Sequence, residues 1–200
     1  MTLPESNTQN DLGPVVARYD AELKANLEGV EALVEGLDRA AINWAPEEGR
    51  WSIAQCLDHM AVVNEKYARR LARGIQEATA KGLKARDHST PKLGFLEKIF
   101  LNSMEPPPKR KYRAPKVVLP PSDHEPEVVV ERYLTSVANL RALLPEADGL
   151  DLGKAKMVSP LAKWLKLRIG SAYSILASHD RRHLWQAREV RGHAEFPADG

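Results

Sequence analysis

Apolar side chains recur every three or four residues in four long segments of the chain, a spacing that places them on one face of an α-helix. The first segment follows Pro14, a residue suited to the first turn of a helix, and predicts helix 1 over residues 14–37. The second follows Ser52 and Gln55, whose spacing is that of a capping box, and predicts helix 2 over residues 53–80. Both segments have the pattern of helices that bury one side and expose the other.

Two further segments with the same spacing lie in the second half of the chain. Helix 3 is predicted to begin near Pro126 and to end at Pro145, since proline cannot continue a helix. Helix 4 is predicted to begin at residues 170–171, with Ser171 as its N-cap, and to end at Gly192. No segment alternates convincingly with a period of two. Four helices with one-sided stripes therefore predict an all-α fold, an antiparallel four-helix bundle.

A long proline-rich insertion separates helices 2 and 3. Residues 81–121 hold seven prolines and two glycines, and the short apolar patch at 93–101 is a candidate for a further helix. Residues 109–116 carry five basic side chains and no acidic one, which favours a solvated loop because charge runs are usually solvated surface. Residues 117–119 are the only strand-like piece, and residues 145–170 are predicted to be a connection. A long irregular stretch in a compact domain is often functional or mobile.

The overall composition is that of an ordinary globular protein that needs no disulfides. The chain has 200 residues, 43% of them hydrophobic, a net charge of +2 and one cysteine. This balanced charge gives no reason to expect nucleic acid as a partner, and no apolar run is long enough for a membrane span, so the cytoplasm is the expected location. We expect one domain over residues 14–192, between a flexible N-terminus at 1–13 and a flexible C-terminus at 193–200.

Two of the six histidines lie on the most strongly patterned helix. His179 and His183 are four residues apart, so they lie on one face of helix 4, one turn from each other. That face is the apolar stripe, which directs both rings into the bundle, where a buried imidazole needs a partner. A shared metal ion would satisfy both rings, whereas hydrogen bonds to neighbouring groups would leave a bundle without metal.

A third histidine supports the metal interpretation. His59 lies on helix 2, and it reaches the pair if helices 2 and 4 are neighbours. Three histidines with an open fourth position are typical of a catalytic rather than a structural metal site. Histidine ligands suit zinc, copper, iron and nickel alike, so the ligand type does not fix the metal. Gln186, three residues after His183, is predicted to support the site from behind by orienting a ring or a water molecule on the metal.

Other polar residues near these histidines are interpreted as structural. Cys56 shares the face of His59 and is a possible zinc ligand, but the interpretation we favour is a small core residue packed with Trp51. Asp58 lies about 100° round the helix from His59, which argues against a role as a base. Ion pairs on the helix surface are predicted for Asp180, Arg181 and Arg182. The histidines assigned to the surface are His88, His124 and His193.

Three segments resemble parts of the DinB-like superfamily, a group of metal-dependent four-helix bundles. Its second-helix motif is similar to residues 43–60, NWAPEEGRWSIAQCLDHM, which have a proline–glycine loop and a histidine eight residues after the second tryptophan. Its last-helix motif, H-x-x-x-H-x-x-Q, is similar to residues 178–186, SHDRRHLWQ. The family's loop before helix 3 is similar to residues 111–123, KYRAPKVVLPPSD. The resemblance covers residues 14–192.

This resemblance implies properties that the residue pattern alone does not give. It implies an up-down-down-up order of the helices, a homodimer, and a divalent ion such as zinc or nickel held by three histidines. Carried over to this chain, the ligands are His59, His179 and His183. It also implies a thiol-dependent S-transferase or isomerase that acts on a small molecule, with mycothiol, bacillithiol, glutathione or another low-molecular-weight thiol as co-substrate.

The leading function hypothesis is therefore a metal-dependent transferase in which the metal acidifies a small thiol. Hydrolysis ranks second, because the ligand faces carry no obvious inward carboxylate that would serve a hydrolase as acid or base. The alternative outside enzymology is a non-catalytic metal- or ligand-binding protein with a role in stress. Family resemblance argues for the site more strongly than for the reaction.

Overall fold

The computed structural model describes residues 12–85, 94–108 and 113–197, so His88 and residues 109–112 of the basic run lie outside the described residues. The described part is mostly helical, with one two-stranded sheet, and none of its helices is long and apolar enough to cross a lipid bilayer. The helices are α1 (Pro14–Val34), α2 (Arg39–Asn43), α3 (Ile53–Ala80), α4 (Phe95–Met104), α5 (Pro126–Ala142), α6 (Leu144–Ala147) and α7 (Ile169–Arg191). The prediction of a helical protein is confirmed at this level.

The predicted capping box begins α3. The Ser52 hydroxyl oxygen accepts a hydrogen bond from the Gln55 backbone N–H at 3.1 Å, and the Ser52 backbone N–H donates to the Gln55 side-chain oxygen at 3.0 Å. These bonds satisfy two N–H groups at the start of the helix that would otherwise lack partners. The first turn of α3 is thereby fixed, and His59 follows one turn later.

The other long helices begin or end within a few residues of their predicted limits. α1 ends at Val34, short of the predicted limit, ahead of Gly36, whose φ of +75° suits glycine. α7 begins at Ile169, so the prediction of Ser171 as N-cap is wrong. The Ser171 hydroxyl instead donates to a Glu97 carboxylate oxygen at 2.8 Å, a contact between distant segments that a local pattern cannot reveal.

The four long helices surround one core. α3 packs against α5 and α7, and α1 packs against the same two helices. Tyr19, Tyr133 and Tyr173 are among the largest fully buried side chains, and the rings of Tyr19 and Tyr173 stack with centroids 5.3 Å apart. Burial of a large apolar side chain stabilises the fold by about 1.5–3 kcal/mol, so residues of this size hold the helices together.

Part of the proline-rich segment at 81–121 is folded onto the long helices. α4 packs against α7, and a 3-10 turn at Lys116–Val118 packs against α3. Within that turn Val118 is only 1% exposed. The described residues of the basic run, 113–116, are exposed apart from the half-buried Ala114, which agrees with the prediction of a solvated loop. Residues 117–119, the strand-like piece, form a turn instead of a strand. The buried position of Val118 exists only once α3 is in place, so the sequence pattern of the loop does not contain it.

A β-hairpin lies within residues 145–170, which we predicted to be a connection. β1 (Lys156–Val158) and β2 (Lys166–Arg168) are antiparallel, with Met157 opposite Leu167 and both side chains buried. The hairpin packs on α3 at Gly74, where an added Cβ would lie 3.1 Å from the Met157 Cβ. Strands of three residues are too short for a period of two to be recognised, which explains why the sequence pattern missed them.

Candidate metal centre

The three histidines predicted as ligands lie together, buried between long helices. His59 lies near the start of α3, and His179 and His183 lie one turn apart on α7. They are 4%, 8% and 9% exposed, respectively, and their ring centroids are 4.6–5.0 Å apart. One nitrogen of each ring lies within 4.8 Å of the others. α3, which carries His59, packs against α7, which carries the histidine pair, as the metal hypothesis requires.

A backbone carbonyl fixes the tautomer of His59. The ring Nδ1 lies 2.7 Å from the carbonyl oxygen of Val118. Because a carbonyl oxygen only accepts hydrogen bonds, Nδ1 carries the proton and donates it. The Nε2 lone pair is then free, and Nε2 lies 3.1 Å from Nε2 of His179. The turn that ends the insertion therefore leaves His59 in the form that binds metals.

Side-chain oxygens have the same role at the other two rings. The Gln186 side-chain oxygen lies 3.2 Å from Nδ1 of His183, and a carboxylate oxygen of Asp180 lies 3.4 Å from Nδ1 of His179. Both oxygens accept hydrogen bonds, so both Nδ1 atoms donate and both Nε2 atoms keep their lone pairs. Gln186 thus contacts a ring of the pair, as its spacing predicted.

This arrangement fits a divalent metal ion. Zinc–imidazole bonds are about 2.0–2.1 Å long, so the nitrogens of a tetrahedral site lie roughly 3.3 Å apart. The 3.1 Å between the Nε2 atoms of His59 and His179 is close to that separation. With both Nδ1 atoms protonated, two lone pairs face each other, which is unfavourable unless a cation or a proton lies between them. Neutral imidazoles directed at one point suit zinc, nickel and similar ions.

Burial keeps two of the rings neutral. Desolvation, with a further contribution from His179, lowers the pKa of His59 to about 4. Desolvation also lowers the pKa of His183 well below the usual value, and the neighbouring His179 and His59 rings add to this shift. A buried imidazolium would be poorly solvated and would repel a second charged ring. Since neutral imidazole is the form that binds metals, these rings need no deprotonation near neutral pH.

Asp180, which we predicted to lie on the helix surface, is fully buried. One carboxylate oxygen accepts hydrogen bonds from the Asn64 amide at 3.0 Å and the Tyr133 hydroxyl at 3.2 Å, while the other faces His179. The interpretation that no carboxylate points inward is therefore wrong. A single apolar stripe could not reveal this, because α7 contacts α1, α3 and α4 and is buried on more than one face.

Trp51 is a second site residue whose position the sequence pattern did not give. Its ring centroid lies 4.8 Å from that of His59 and 5.6 Å from that of His183. The tryptophan is half-buried, and its ring stacks on that of His183 with an angle of 25° between the two planes. Packing of Trp51 against Cys56 stays a prediction. The place of Trp51 directly before the Ser52 cap is the signal that ties it to the start of α3.

Several of the remaining predicted residues lie outside the cluster. Cys56 is fully buried in the core, is not part of the histidine group, and desolvation raises the pKa of its thiol to about 12. Asp58 pairs with Arg132 at 2.7 Å and is not part of the histidine group. His124 is half-buried, with its Nε2 3.2 Å from the Pro121 carbonyl oxygen, and His193 is exposed. The core interpretation of Cys56 and the rejection of Asp58 as a base both agree with these positions.

The two arginines beside the ligands have structural contacts. Arg181 pairs with Glu105 at 2.5 Å and with Glu22 at 3.3 Å, which agrees with the predicted ion-pair role. Arg182 donates a hydrogen bond to the Ser103 carbonyl oxygen at 3.1 Å. Glu105 directly follows α4, so its ion pair with Arg181 connects the end of α4 to α7.

A family model described as the DinB superfamily matches residues 22–187 of the chain. The matched range includes His59, His179, His183 and Gln186. No curated protein and no solved structure gave a match.

Proposed function

The chain belongs to the DinB superfamily, and from that premise we propose that it is a metal-dependent enzyme whose divalent ion, zinc or nickel, is held by His59, His179 and His183. One observation carries the proposal: three buried rings converge, and each has an oxygen acceptor at Nδ1, which leaves Nε2 free to bind. Satisfied core histidines without a metal would not require the ligating nitrogens of two rings to face each other.

The reaction that we propose is a thiol-dependent S-transfer or isomerisation with a low-molecular-weight thiol as co-substrate. When bound, a divalent ion with three neutral ligands keeps its charge and lowers the pKa of a thiol at its open position, so that the nucleophilic thiolate forms near neutral pH. The chain's own part is to hold the rings neutral and oriented through Val118, Asp180 and Gln186. Trp51 limits the access of water to two of them.

The surroundings of Asp180 support a thiol over water as the activated group. Its carboxylate contacts the Nδ1 side of His179, away from the nitrogen that would bind the metal. Both of its oxygens already accept hydrogen bonds, from Asn64, Tyr133 and His179. A hydrolase needs an accessible acid or base, and this carboxylate is fully buried. A thiol bound to a metal loses its proton without a strong base.

The test is a titration of cobalt-substituted protein with glutathione, bacillithiol, mycothiol, cysteine and coenzyme A, each added separately. A thiolate bound to cobalt gives a charge-transfer absorption that water does not give, and we expect that band with at least one thiol. Cys56→Ser is the matched control, because a band that persists in this variant does not come from the chain's own thiol. The absence of the band with every thiol, together with no consumption of a generic electrophile, would refute the thiol-dependent reaction.

A non-catalytic metal-binding protein is the second candidate function. The observation in its favour is the low exposure of the histidines, at most 9%, beneath Trp51. A metal site with so little exposure is compatible with a protein that only retains an ion, and it is also compatible with catalysis. Stoichiometric metal with no thiol band and no turnover would favour this candidate over the enzyme.

We also propose that α1, α3, α5 and α7 have the up-down-down-up order that the family resemblance implies. Contacts between α1 and α7 support a parallel pair. The Tyr19 and Tyr173 rings stack near the starts of the two helices, and Arg191 donates a hydrogen bond to the Leu33 carbonyl oxygen near their ends.

Contacts of α3 and α5 with α7 support the opposite direction for both. His59 near the start of α3 meets His183 in the second half of α7. Gly74 near the end of α3 lies against Ile169, the first residue of α7. The hydrogen bonds that support an antiparallel α5 are Tyr133–Asp180 and Tyr173–Leu140.

The apolar side of α4 is the surface through which we propose homodimerisation. Phe95, Ile99 and Phe100 are 77%, 51% and 45% exposed. Apolar patches on a protein surface often mark interfaces, because their burial removes apolar area from water.

A further inference from the structure

A recess with a volume of about 400 Å³ lies between the C-terminal half of α3 and the β-hairpin. Its apolar wall includes Gly74, Ala78 and Met157. The cationic side chains that line it are Arg70, Arg73, Lys81, Lys154, Lys156 and Lys166, and we call this recess the basic groove. Half of these cations lie on α3 or at its end, and the other half lie on the hairpin or just before it.

Most of the positive charge of the basic groove has no acidic partner. Glu77 is the acidic residue among those that line the groove, and it pairs with Arg73 at 2.9 Å. Lys154 pairs with Asp151 at 2.8 Å. The remaining cations form no ion pair within the part of the chain that the structure describes. They are Arg70, Lys81, Lys156 and Lys166. This local excess contrasts with a net charge of only +2 for the whole chain.

Cations from both sides of the groove affect the pKa of the same carboxyl group, that of Glu77. The hydrogen bond from Arg73 is the largest cause of the lowered pKa of Glu77, and the charges of Lys81 and Lys166 lower it further. Lys81 follows α3, whereas Lys166 begins β2, so the fold brings together charges that are far apart in the sequence. Glu77 carries only one negative charge, so the six cations of the groove keep an excess of positive charge that a further anion would offset.

The basic groove is separate from the histidine cluster. Gly74 follows His59 by 15 residues in the same helix. At a rise of 1.5 Å per residue, the two positions are about 22 Å apart along α3. A ligand of small-molecule size in the groove therefore does not reach the histidines.

We propose that the basic groove binds a small molecule that carries two or more phosphate groups. Six cations on two walls suit a ligand with at least two anionic groups, because the charge of one phosphate would offset fewer of them. The volume falls within the usual range for small-molecule sites, and the apolar wall allows contact with an uncharged part of the ligand. A concave recess in a chain of nearly balanced charge is less suited to RNA, which needs an extended basic surface.

Isothermal titration calorimetry with inorganic pyrophosphate tests this site. Wild-type protein is expected to bind pyrophosphate more tightly than orthophosphate, since its two phosphate groups carry more negative charge and form more charge-assisted hydrogen bonds with the cations of the groove. The double substitution Lys156→Ala/Lys166→Ala should weaken binding by about tenfold or more, because charge-assisted hydrogen bonds are lost. Arg70→Ala/Lys81→Ala should have a similar effect from the other wall. The matched control is Lys24→Ala/Lys98→Ala, which removes the same charge from exposed positions outside the groove and should change affinity less than about twofold.

Two further titrations, with ADP and with the His59→Ala variant, distinguish binding in the groove from binding elsewhere on the protein. ADP reports whether the apolar wall contributes, and an affinity equal to or higher than that of pyrophosphate supports the groove. His59→Ala should bind pyrophosphate as the wild type does, so the result is independent of the proposed metal site. The proposal is overturned if pyrophosphate binds no more tightly than orthophosphate, if the groove variants bind as well as the control, if His59→Ala abolishes binding, or if only an RNA oligonucleotide binds.

Discussion

Each ring of the histidine cluster is oriented by a different oxygen acceptor. These acceptors are the backbone carbonyl of Val118, the carboxylate of Asp180 and the side-chain amide of Gln186. An acceptor at Nδ1 decides the tautomer, so Nε2 of all three rings is left free to bind a metal ion. The carboxylate of Asp180 stands behind His179, where it orients the ring through the contact with Nδ1.

The three histidines are predicted to bind the metal as a unit. Replacing any one of His59, His179 or His183 with alanine should remove most of the bound metal, because two imidazoles alone do not complete the ligand set. Metal content of protein purified without a histidine tag measures this. The control substitutions, which should leave the metal in place, are His88→Ala, His124→Ala and His193→Ala. Wild-type stoichiometry in His59→Ala would refute the three-histidine site.

Asp180→Asn is predicted to weaken metal binding by about 10–100-fold, as substitutions behind a ligating histidine commonly do. The amide keeps the size of the side chain but removes the charge behind His179. Asp58→Asn is the matched control, because Asp58 directly precedes His59 in the sequence and yet pairs with Arg132. Competition with a chelator measures both affinities. An equal loss in the two variants would indicate general destabilisation and would argue against orientation by Asp180.

Metal-free protein is predicted to lose stability on acidification through the histidine range. The pKa of His59 is about 4 in the fold, against about 6.5 in an unfolded chain. Between these values the unfolded state binds a proton that the folded state does not, so the free energy of unfolding falls as the pH falls from about 6.5 to about 4. His183 acts in the same direction.

Urea denaturation of metal-free protein at several pH values measures this dependence, and the slope should be smaller in His59→Ala. Bound metal is predicted to dissociate at or below about pH 6.5, because ligating imidazoles must be neutral. Full metal occupancy at about pH 4 would contradict histidine ligation.

Among the secondary-structure elements, the short 3-10 turn at Lys116–Val118 connects the insertion to the site. Its last residue has a buried side chain and a carbonyl oxygen that accepts from His59. The side chain thus anchors the turn, and the backbone of the same residue orients a ligand. Disturbing the anchor should therefore affect the metal site without touching a histidine.

Val118→Ala is predicted to lower the free energy of unfolding by about 1–3 kcal/mol, because a buried β-branched side chain is truncated. It should also lower metal affinity, since the carbonyl at Nδ1 of His59 is less firmly held. Val117→Ala is the matched control, because Val117 is 64% exposed in the same turn. Denaturation and chelator competition give the two quantities. Unchanged metal affinity in a destabilised Val118→Ala variant would separate the turn from the site.

At the scale of the whole molecule, α3 contributes to two separate places, the histidine cluster and the basic groove. The start of this helix carries His59, and its C-terminal half forms one wall of the basic groove. The hairpin packs against the C-terminal half of α3 and contributes Lys156 and Lys166 to the groove, so the groove is basic whereas the start of α3 carries the histidine site. α4, which packs against α7, exposes the apolar residues through which we propose dimerisation.

A homodimer is predicted to have a light-scattering mass near twice the 22.3 kDa of one chain. Ile99→Asp should shift the mass toward that of the monomer, because a charge in the centre of the exposed α4 patch opposes burial. Lys98→Ala, at the neighbouring exposed position, is the control and should leave the mass unchanged. A mass near 22.3 kDa for the wild type at working concentration would end the proposal of a dimer.

Local sequence determined the features that depend on one helix at a time. The spacing of apolar residues predicted the four long helices, and the Ser52–Gln55 pair predicted the start of α3. The spacing of His179 and His183 predicted that both rings share a face. Helical periodicity is a property of consecutive residues, so these features needed no knowledge of the neighbouring helices.

Contacts between distant segments decided the rest, and only the tertiary structure contains them. Asp180 is buried because α7 has neighbours on several sides, and Val118 meets His59 across 59 positions of sequence. The place of Trp51 over two rings likewise required α3 and α7 to be packed together. Tautomer, charge and access at the cluster follow from these contacts, because each depends on the groups that surround a ring and not on the residues beside it in the chain.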